Sequence, residues 1–218
     1  KCLVCSGEKL LPLCRLFSLY CAKGISHNVS ICGECGHIQL SPVCTPAETA
    51  SINEKFLGSK YLKEGRPNPF NNDKKLARLE QGLSPFVKAG MKILDVGAGE
   101  AWMMGLARKW GVSYYAIEPI KKLADSITER GGSVIGDSIS SEFQGYQSFF
   151  DIVVIRHVIE HLVDPLGALL KVKSLLKPDG IAYVAVPNAS CFSTKKGLRT
   201  SFLRPAHISY FCPDNLVR

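Results

Sequence analysis

From Met91 onward, short apolar runs alternate with segments of helical periodicity, and this alternation restricts the fold more than any other feature of the chain. The predicted strands cover residues 91–96, 113–117, 133–135, 151–155 and 180–186. The predicted helices cover residues 101–110, 121–130 and 165–176. Nearly continuous apolar strands that alternate with helices indicate a mostly parallel sheet with helices on both faces. We therefore predict a Rossmann-like α/β fold.

Polar residues follow these predicted strands at the points where the strands end. In such sheets, ligands bind beyond the carboxyl ends of the strands, where the strand order reverses. The residues at these ends, which we predict to bind a cofactor, are Asp95, Gly97, Ala98, Gly99, Glu118, Pro119, Asp137, Ser138, Arg156 and His157.

The glycine turn after the first of these strands distinguishes between cofactors. A dinucleotide fingerprint ends in a third glycine or an alanine, because close packing of helix on strand needs a small residue there. Trp102 occupies that position and disfavours a pyrophosphate cofactor. Asp95 before the turn and Glu118 at the end of the second strand indicate a cofactor with a positive charge and a ribose diol. S-adenosylmethionine (SAM) has both.

The first 35 residues contain six of the nine cysteines, and four of these form two CxxC pairs separated by 26 residues. Zinc binds four ligands in a tetrahedron, and one CxxC turn supplies two thiolates. We predict a structural zinc site with the ligands Cys2, Cys5, Cys32 and Cys35. The alternative is a redox pair or unligated thiols. The reserve ligands, which we expect to pack rather than to bind metal, are Cys14, Cys21 and His37.

The chain divides into three predicted segments: a zinc-binding module over 1–45, a connector with helix over 46–90, and a SAM-binding domain over 91–218. Within the connector we predict helices over about 47–57 and 72–87. The first residue is not Met, and the sequence ends before the last two strands expected of the fold. We expect it to be a trimmed piece of a longer protein.

Composition and charge limit the partners. A chain with 46% apolar and 21% charged residues is globular, and no apolar run approaches the ~18 residues of a membrane span. The net charge of +8 favours an anionic partner. The odd cysteine count and the close pairs fit a reducing compartment, so we predict a cytoplasmic protein. The basic stretch between residues 195 and 204 can pair with phosphate or form a solvated loop.

The motifs ILDVGAGEAW, AIEP, GDS, FDIVVIRHVIEHLVDP and LLKPDGIAYVAVPN occur in this order and resemble those of class I SAM-dependent methyltransferases over residues 91–215. The resemblance implies that Gly97 and Gly99 let the backbone approach the methionine part of SAM, with Asp95 orienting the loop. The chain departs from the family pattern at Ala101, where many members have a third glycine.

The same resemblance implies which residues bind the ribose and the adenine of SAM. It implies that Glu118 holds the ribose hydroxyls, and that Asp137 accepts a hydrogen bond from the adenine amino group beside the Ser138 backbone.

The N-terminal segment resembles the zinc-binding domain of sugar C-methyltransferases, with two CxxC pairs and a glycine followed by an apolar-Gln-Leu segment. Those enzymes methylate nucleotide-linked deoxysugars, and their C-terminal domain is much longer. The resemblance implies a small, anionic acceptor such as a nucleotide-linked sugar.

Methyl transfer requires positioning and a base that removes the acceptor's proton, and histidine titrates in the useful range. The catalytic candidates are His207, His161 and Glu160. His207 ranks first because its segment resembles the loop where sugar C-methyltransferases carry a Glu-His pair, although Ala206 occupies the Glu position. Glu160 and His161 have an alternative role as a cap of the following helix.

We therefore predict a SAM-dependent methyltransferase that transfers the methyl group directly to a small polar acceptor. Two alternatives remain. One is an RNA methyltransferase whose basic zinc module grips the backbone, although the module lacks the interleaved aromatic residues that stack bases. The other is a non-catalytic zinc and SAM-fold interaction module.

Overall fold

The computed structural model describes residues 1–17, 26–45, 47–49, 73–190 and 206–216. They belong to two compact units. Unit 1 comprises Lys1–Arg66, Ile159–Leu166 and Val186–Arg218, and unit 2 comprises Pro67–Val158 and Gly167–Ala185. The basic stretch at 195–204 lies outside the described residues, as does the predicted helix at 47–57 beyond its helical residues 47–49.

The strands and helices are numbered in chain order. The strands are β1 (Leu10–Phe17), β2 (Ser26–Cys32), β3 (Ile38–Ser41), β4 (Lys92–Val96), β5 (Ser113–Ile117), β6 (Ser133–Gly136), β7 (Phe150–Arg156), β8 (Leu176–Ala185) and β9 (Ser209–Tyr210). The helices are α1 (Asp73–Leu83), α2 (Met103–Trp110), α3 (Lys121–Glu129), α4 (Pro165–Leu175) and α5 (Pro213–Leu216), with a 3-10 turn at Ile159–His161.

Unit 2 contains a five-stranded sheet in the order β6-β5-β4-β7-β8. Every neighbouring pair is parallel. The chain runs outward from β4 to β6 in one direction and then returns to β7 on the other side of β4. The strand order therefore reverses between β4 and β7, where a ligand is expected. The Rossmann-like fold predicted from the sequence is confirmed.

The two central strands of this sheet are buried on both faces. Their most buried side chains, each 2% exposed or less, are Ile93, Leu94, Val96, Ile152, Val153, Val154 and Ile155. Such continuous apolar strands are typical of a parallel sheet covered by helices. Helix α2 directly follows the glycine turn and ends at Gly111, whose φ of 64° permits the left-handed cap.

Strand β8 begins four residues before the predicted 180–186. Leu176 pairs with Phe150 and Ile181 pairs with Ile152, so residues 177–180 protrude from the ladder between those pairs. This protrusion contains Pro178 and Gly180, which read as a turn in the sequence.

Unit 1 contains a four-stranded antiparallel sheet in the order β1-β2-β3-β9. The apolar-Gln-Leu segment that follows the second CxxC pair forms β3. Its partner β9 comes from the far end of the chain, with Ile38 opposite Tyr210 and Gln39 opposite Ser209. The core of unit 1 contains Val29, Leu40, Cys44, Ala189, Ala206, Ile208 and Tyr210. The predicted boundaries after residues 45 and 90 stay predictions.

Among the described residues, no helix has the length and apolar character needed to cross a membrane.

Candidate functional site

The turn after β4 uses glycine at two positions with left-handed backbone, where φ is 67° at Gly97 and 58° at Gly99. A Cβ on Gly97 would lie 2.5 Å from Cγ2 of Val158, whereas a Cβ on Gly99 would meet no atom within 4 Å. Gly97 therefore provides both the conformation and the close approach, and Gly99 provides the conformation alone.

Ala101 lies where the family resemblance expects a third glycine. Its φ is 50°, in the left-handed region, and it is 1% exposed. A non-glycine residue in this conformation costs roughly 1–2 kcal/mol. The position favours glycine because of its backbone, and this chain tolerates alanine because the side chain is small.

Glu118 joins the glycine turn to the end of β5. Its Oε2 accepts a hydrogen bond from the backbone N–H of Gly99 at 2.7 Å, and its Oε1 accepts one from the N–H of Ile120 at 2.8 Å. Burial raises the pKa of this carboxyl group. A carboxylate has about four lone-pair sites, so both oxygens can also accept hydrogen bonds from a ribose diol.

Asp95 is buried at the end of β4, where the hydroxyl group of Tyr114 donates a hydrogen bond of 2.8 Å to its Oδ2. Burial raises the pKa of Asp95 to about 6, although the Tyr114 hydrogen bond and the positive charge of Arg156 oppose the shift. An ionised carboxylate in this environment is stabilised by a cationic ligand.

Arg156, at the end of β7, stacks its guanidinium group on Trp102, with 3.6 Å between the guanidinium carbon and the ring centroid. The two residues border one cavity within unit 2. Its full lining is Leu79, Asp95, Gly97, Ala98, Trp102, Met103, Val154 and Arg156. In the sequence, Trp102 indicates only that a dinucleotide is disfavoured. Its place directly after the glycine turn was the signal that it borders the site.

The remaining predicted cofactor residues follow the same edge of the sheet. Asp137 and Ser138 are exposed after β6, and Pro119 is exposed after Glu118. His157 is exposed after β7 and has a left-handed φ of 55°, and its N–H donates to the carbonyl of Ala185 at 2.8 Å. Left-handed non-glycine residues are often found at functional sites.

The three predicted catalytic residues form a cluster within unit 1. One side-chain atom from each of Glu160, His161 and His207 lies within 4.8 Å of the others. The two imidazole rings are 4.9 Å apart, and the side chains of Glu160 and His207 are 2% and 8% exposed. The backbone N–H of Ile208 donates to the carbonyl of Glu160 at 2.7 Å, which holds the two chain segments together.

The tautomer of His161 follows from its hydrogen bond. Its Nδ1 lies 2.6 Å from the carbonyl oxygen of Ala206. Because a carbonyl oxygen only accepts, a neutral His161 carries its hydrogen on Nδ1 and its lone pair on Nε2. Two imidazoles beside a carboxylate can exchange a proton with a substrate.

The four CxxC cysteines converge in unit 1, with their sulfur atoms within 4.8 Å of one another. The distances Cys2 Sγ–Cys35 Sγ and Cys5 Sγ–Cys32 Sγ are both 3.6 Å. This is far longer than a disulfide bond of about 2.05 Å. Four sulfurs at about 2.3 Å from a tetrahedral ion are separated by about 3.8 Å. The spacing therefore fits a tetrahedral metal ion.

Backbone N–H groups point at these sulfurs. The N–H groups of Val4, Gly7 and Glu34 donate to Cys2, Cys5 and Cys32, each at 3.4 Å. Burial raises the pKa of the Cys32 thiol, but hydrogen bonds from the backbone N–H groups of Cys35 and Glu34 and with the Cys5 and Cys35 thiols outweigh this and lower it to about 7. Such bonds stabilise the thiolate, which is the form that binds metal. In the same cluster, burial raises the pKa of Cys2 and raises that of Cys35 to about 12.

Two side chains of unit 1 connect the cysteine cluster to the sheet. Gln39 accepts a hydrogen bond from the N–H of Leu3 at 2.8 Å and donates one to the carbonyl of Lys1 at 3.1 Å. The Nε2 of His37 lies 3.2 Å from Oγ of Ser209. Burial lowers the pKa of His37 to about 4, so its imidazole is neutral at pH 7.

Comparison with solved structures supports the fold of unit 2. A SAM-dependent methyltransferase from Archaeoglobus fulgidus is 20% identical with a TM-score of 0.55, and the match covers 76% of this chain and 69% of that one. The YcgJ protein of Bacillus subtilis is 17% identical with a TM-score of 0.54, and the match covers 67% and 65%. At these identities the likeness concerns the fold alone.

Curated relatives are similar in sequence. The protein named ubiquinone biosynthesis O-methyltransferase of Actinobacillus pleuropneumoniae serotype 5b is 28% identical over 109 residues, or 45% of this chain and 47% of the relative. The protein of the same name in Caulobacter vibrioides (strain ATCC 19089 / CIP 103742 / CB 15) is 30% identical over 131 residues, or 55% and 50%. The chain spans about half the length of these relatives.

A family model described as a methyltransferase domain matches residues 70–218. The match includes the parallel sheet, the glycine turn and both buried acids, and these residues fit the charges and the diol of SAM. The chain therefore belongs to the methyltransferase domain family and has the fold of SAM-dependent methyltransferases.

Proposed function

We propose that the chain methylates a small polar acceptor, with His207 as the general base. The observation that carries this proposal is the cluster of His207, His161 and Glu160 in unit 1, where the imidazole rings lie 4.9 Å apart. A general base requires an imidazole with a defined environment near a second polar group. The hydrogen bond from His161 Nδ1 to Ala206 supplies one fixed member of this pair.

In the proposed step, His207 removes the proton from an acceptor hydroxyl group or acidic carbon. The resulting electron pair attacks the methyl carbon of SAM in line with its bond to sulfur. That bond breaks, its electrons neutralise the sulfonium, and S-adenosylhomocysteine (SAH) leaves. The proton remains on the histidine until solvent removes it.

His161 and Glu160 support the base in this scheme. A neutral His161 has its lone pair on Nε2 and can accept a proton or orient the acceptor. Glu160 is 2% exposed, and a carboxylate close to an imidazole favours the imidazolium that forms during transfer.

The proposed cofactors are SAM and a structural zinc ion. Cys2, Cys5, Cys32 and Cys35 would hold the zinc as four thiolates. The ion would supply folding energy to unit 1, because a site closed by four thiolates leaves no position for a reacting water molecule.

The proposed acceptor is anionic, with a nucleotide-linked sugar as the first class to test. Supporting it are the resemblance of the cysteine module to sugar C-methyltransferases and the net charge of +8. The names of the curated relatives favour a second candidate, in which the methyl group goes to the hydroxyl oxygen of a small molecule. A histidine base suits both reactions.

The acceptor can be identified with methyl-labelled SAM and a desalted cell extract. We expect label in small molecules that phosphatase alters, as a nucleotide-linked acceptor requires. Label in small molecules that phosphatase leaves unchanged would favour the second candidate. Nuclease-sensitive label in large molecules would contradict both and favour an RNA acceptor.

The base can be tested with His207→Gln and His207→Asn once an acceptor is in hand. Loss of a general base lowers kcat by about 10²–10⁴-fold. The control is the Kd for SAH, which depends on unit 2 and should stay within about twofold. A variant with unchanged kcat would contradict the role of His207.

A further inference from the structure

The cluster of Glu160, His161 and His207 in unit 1 combines two imidazoles with one carboxylate. One potential ligand atom from each residue lies within 4.8 Å of the others. Two imidazole nitrogens and one carboxylate oxygen are the ligand set of zinc sites that keep an open coordination position. The proposed methyl transfer uses these side chains only to move a proton, so metal binding would be a separate capacity of the cluster.

We propose that these three residues form a metal site, separate from the four-cysteine cluster, that binds a divalent transition-metal ion such as Zn²⁺. The bound ion occupies the lone pair that His207 needs as a base, so the ion inhibits methyl transfer. This inhibition rests on the proposed function, whereas the metal site itself does not.

The hydrogen bond of His161 supports its role as a ligand. Its Nδ1 lies 2.6 Å from the carbonyl oxygen of Ala206, so the neutral ring carries its lone pair on Nε2. Metal-binding histidines almost always donate their other N–H to a carbonyl, a carboxylate or water, which fixes the tautomer and the ring orientation. His161 therefore has both the tautomer and the supporting hydrogen bond of a metal ligand.

The other two ligands are brought together by a contact between distant chain segments. The backbone N–H of Ile208 donates to the carbonyl of Glu160 at 2.7 Å, and His207 directly precedes Ile208. The rings of His161 and His207 are 4.9 Å apart and inclined at 68°. Ligand atoms about 2.1 Å from one ion lie about 3.0–3.4 Å from one another. The three atoms therefore need to approach one another by less than about 2 Å.

Burial and ligand type favour a transition-metal ion. Glu160 is 2% exposed and His207 is 8% exposed. A buried carboxylate requires a compensating cation, and a divalent ion beside one carboxylate and two neutral imidazoles supplies one. Imidazole nitrogen suits zinc, copper, iron and nickel, whereas Mg²⁺ and Ca²⁺ prefer oxygen ligands. Three protein ligands leave a position open, where water or an anion can bind.

The wild-type chain tests the site without any acceptor. Protein loaded with Zn²⁺ at the four-cysteine cluster is titrated with Co²⁺, and the absorption spectrum is recorded. We expect one further equivalent of Co²⁺ to bind with d–d bands, but without the thiolate-to-cobalt charge-transfer band that cysteine ligands produce. Failure to bind Co²⁺, or binding only with the thiolate band, would overturn the proposal.

Single substitutions identify the ligands. Glu160→Gln, His161→Asn and His207→Asn each remove one of them. Loss of the hydrogen-bond partner of a ligand lowers metal affinity by about 10–100-fold, so loss of a ligand should weaken Co²⁺ binding by at least about tenfold. Each variant should keep Zn²⁺ in the four-cysteine cluster, which would show that unit 1 still folds. Unchanged Co²⁺ affinity in folded variants would overturn the site.

Glu129→Gln is the control for charge, because it removes one exposed negative charge from the end of α3 in unit 2. It should leave the Co²⁺ affinity unchanged. Weakening equal to that of Glu160→Gln would show that the ion responds to net charge rather than to ligands, and the proposal would be wrong.

Methyl transfer gives an independent readout of the inhibition. Zn²⁺ should stop transfer over the concentration range in which it fills the site, and a weak chelator that leaves the four-cysteine cluster loaded should restore the rate. Absence of the additional ion would overturn the metal site and leave the role of His207 as a base intact. A rate that stays unchanged or rises while the site fills would overturn the inhibition and contradict the role of His207, but not the metal site.

Discussion

The two units of this protein differ in how far apart their contacting segments lie along the sequence. In unit 2 the strands β4 to β8 follow one another, and the acids and glycines of the site come directly after them. Unit 1 is assembled from three separate stretches of the chain. One of its hydrogen bonds joins His37 to Ser209, which are 172 positions apart.

The units also differ in what holds them together. Unit 2 has a core of continuous apolar strands, so its stability is distributed over many contacts. Unit 1 combines a smaller core with four convergent sulfurs and a few hydrogen bonds between distant segments. Non-local contacts must offset the entropy of closing long loops. We infer that single polar groups matter more in unit 1 than in unit 2.

The largest expected effect comes from removing two of the four sulfurs, with Cys32→Ser and Cys35→Ser together. A structural zinc ion contributes roughly 10–16 kcal/mol of apparent binding free energy, more than most small domains have in total stability. The amides of β2 and β3 should lose their protection from hydrogen exchange, whereas those of β4 and β7 should keep theirs. Mass spectrometry of the exchanged peptides would measure this.

Cys212→Ser is the matched control, because it replaces a cysteine of unit 1 that lies outside the sulfur cluster. It should leave metal content and exchange nearly unchanged. Equal loss of protection in β2 and β4 after the double substitution would contradict this difference between the units, since both units would then depend on the four cysteines.

The next effect concerns two glycines of unit 2 that have the same left-handed backbone conformation but differ in the atoms that surround them. Gly97→Ala should cost about 2–5 kcal/mol, from a left-handed alanine and a clash with Val158. Gly99→Ala carries the conformational cost alone, about 1–2 kcal/mol. Urea unfolding of unit 2 would measure both. Equal costs would show that the close approach at Gly97 is unimportant.

Unit 2 and β9 also illustrate which features could be predicted from the sequence and which could not. The apolar runs, the glycine turn and the acids at strand ends are local signals, and they predicted the sheet and the cofactor correctly. Strand β9 has only two residues and carries no periodicity, so its pairing with β3 was invisible. The stacking of Arg156 on Trp102 depends on two strand ends that meet only in the fold.

A third effect concerns the charge of Asp95, which faces Tyr114, Arg156 and Glu118. Burial raises its pKa from 3.8 to about 6 in the folded protein without ligand. Ionised Asp95 therefore weakens the fold above about pH 6, and this penalty disappears as the pH falls toward 3.8. Binding of the SAM ammonium group favours the ionised form, so the Kd should rise by up to about tenfold per pH unit below pH 6.

Acidification should thus strengthen the fold of unit 2 and weaken SAM binding, two effects of opposite sign. Calorimetry between pH 5 and 8 would measure the binding, and urea unfolding would measure the stability. Asp95→Asn should reduce the pH dependence of both the Kd for SAM and the free energy of unfolding. Glu118→Gln serves as the companion variant, because burial also raises the pKa of Glu118 and adds a dependence of the same sign. A Kd that does not change below pH 6 would contradict the role of Asp95.

The smallest expected effect is on the two-residue strand of unit 1. Ser209→Ala removes the hydroxyl group that lies 3.2 Å from His37, where both side chains are 1% exposed or less. A buried imidazole that loses its partner costs about 1 kcal/mol or slightly more. Because β9 forms only two residue pairs with β3, this bond should matter for the local opening of β9, measured by amide exchange. Ser30→Ala on β2 is the control, since it removes a buried hydroxyl group that is not the partner of His37. Equal amide exchange in β9 for the two variants would show that the hydrogen bond between His37 and Ser209 does not hold the strand. Backbone pairing would then be sufficient to hold β9 in the sheet of unit 1, as it is for the strands of unit 2.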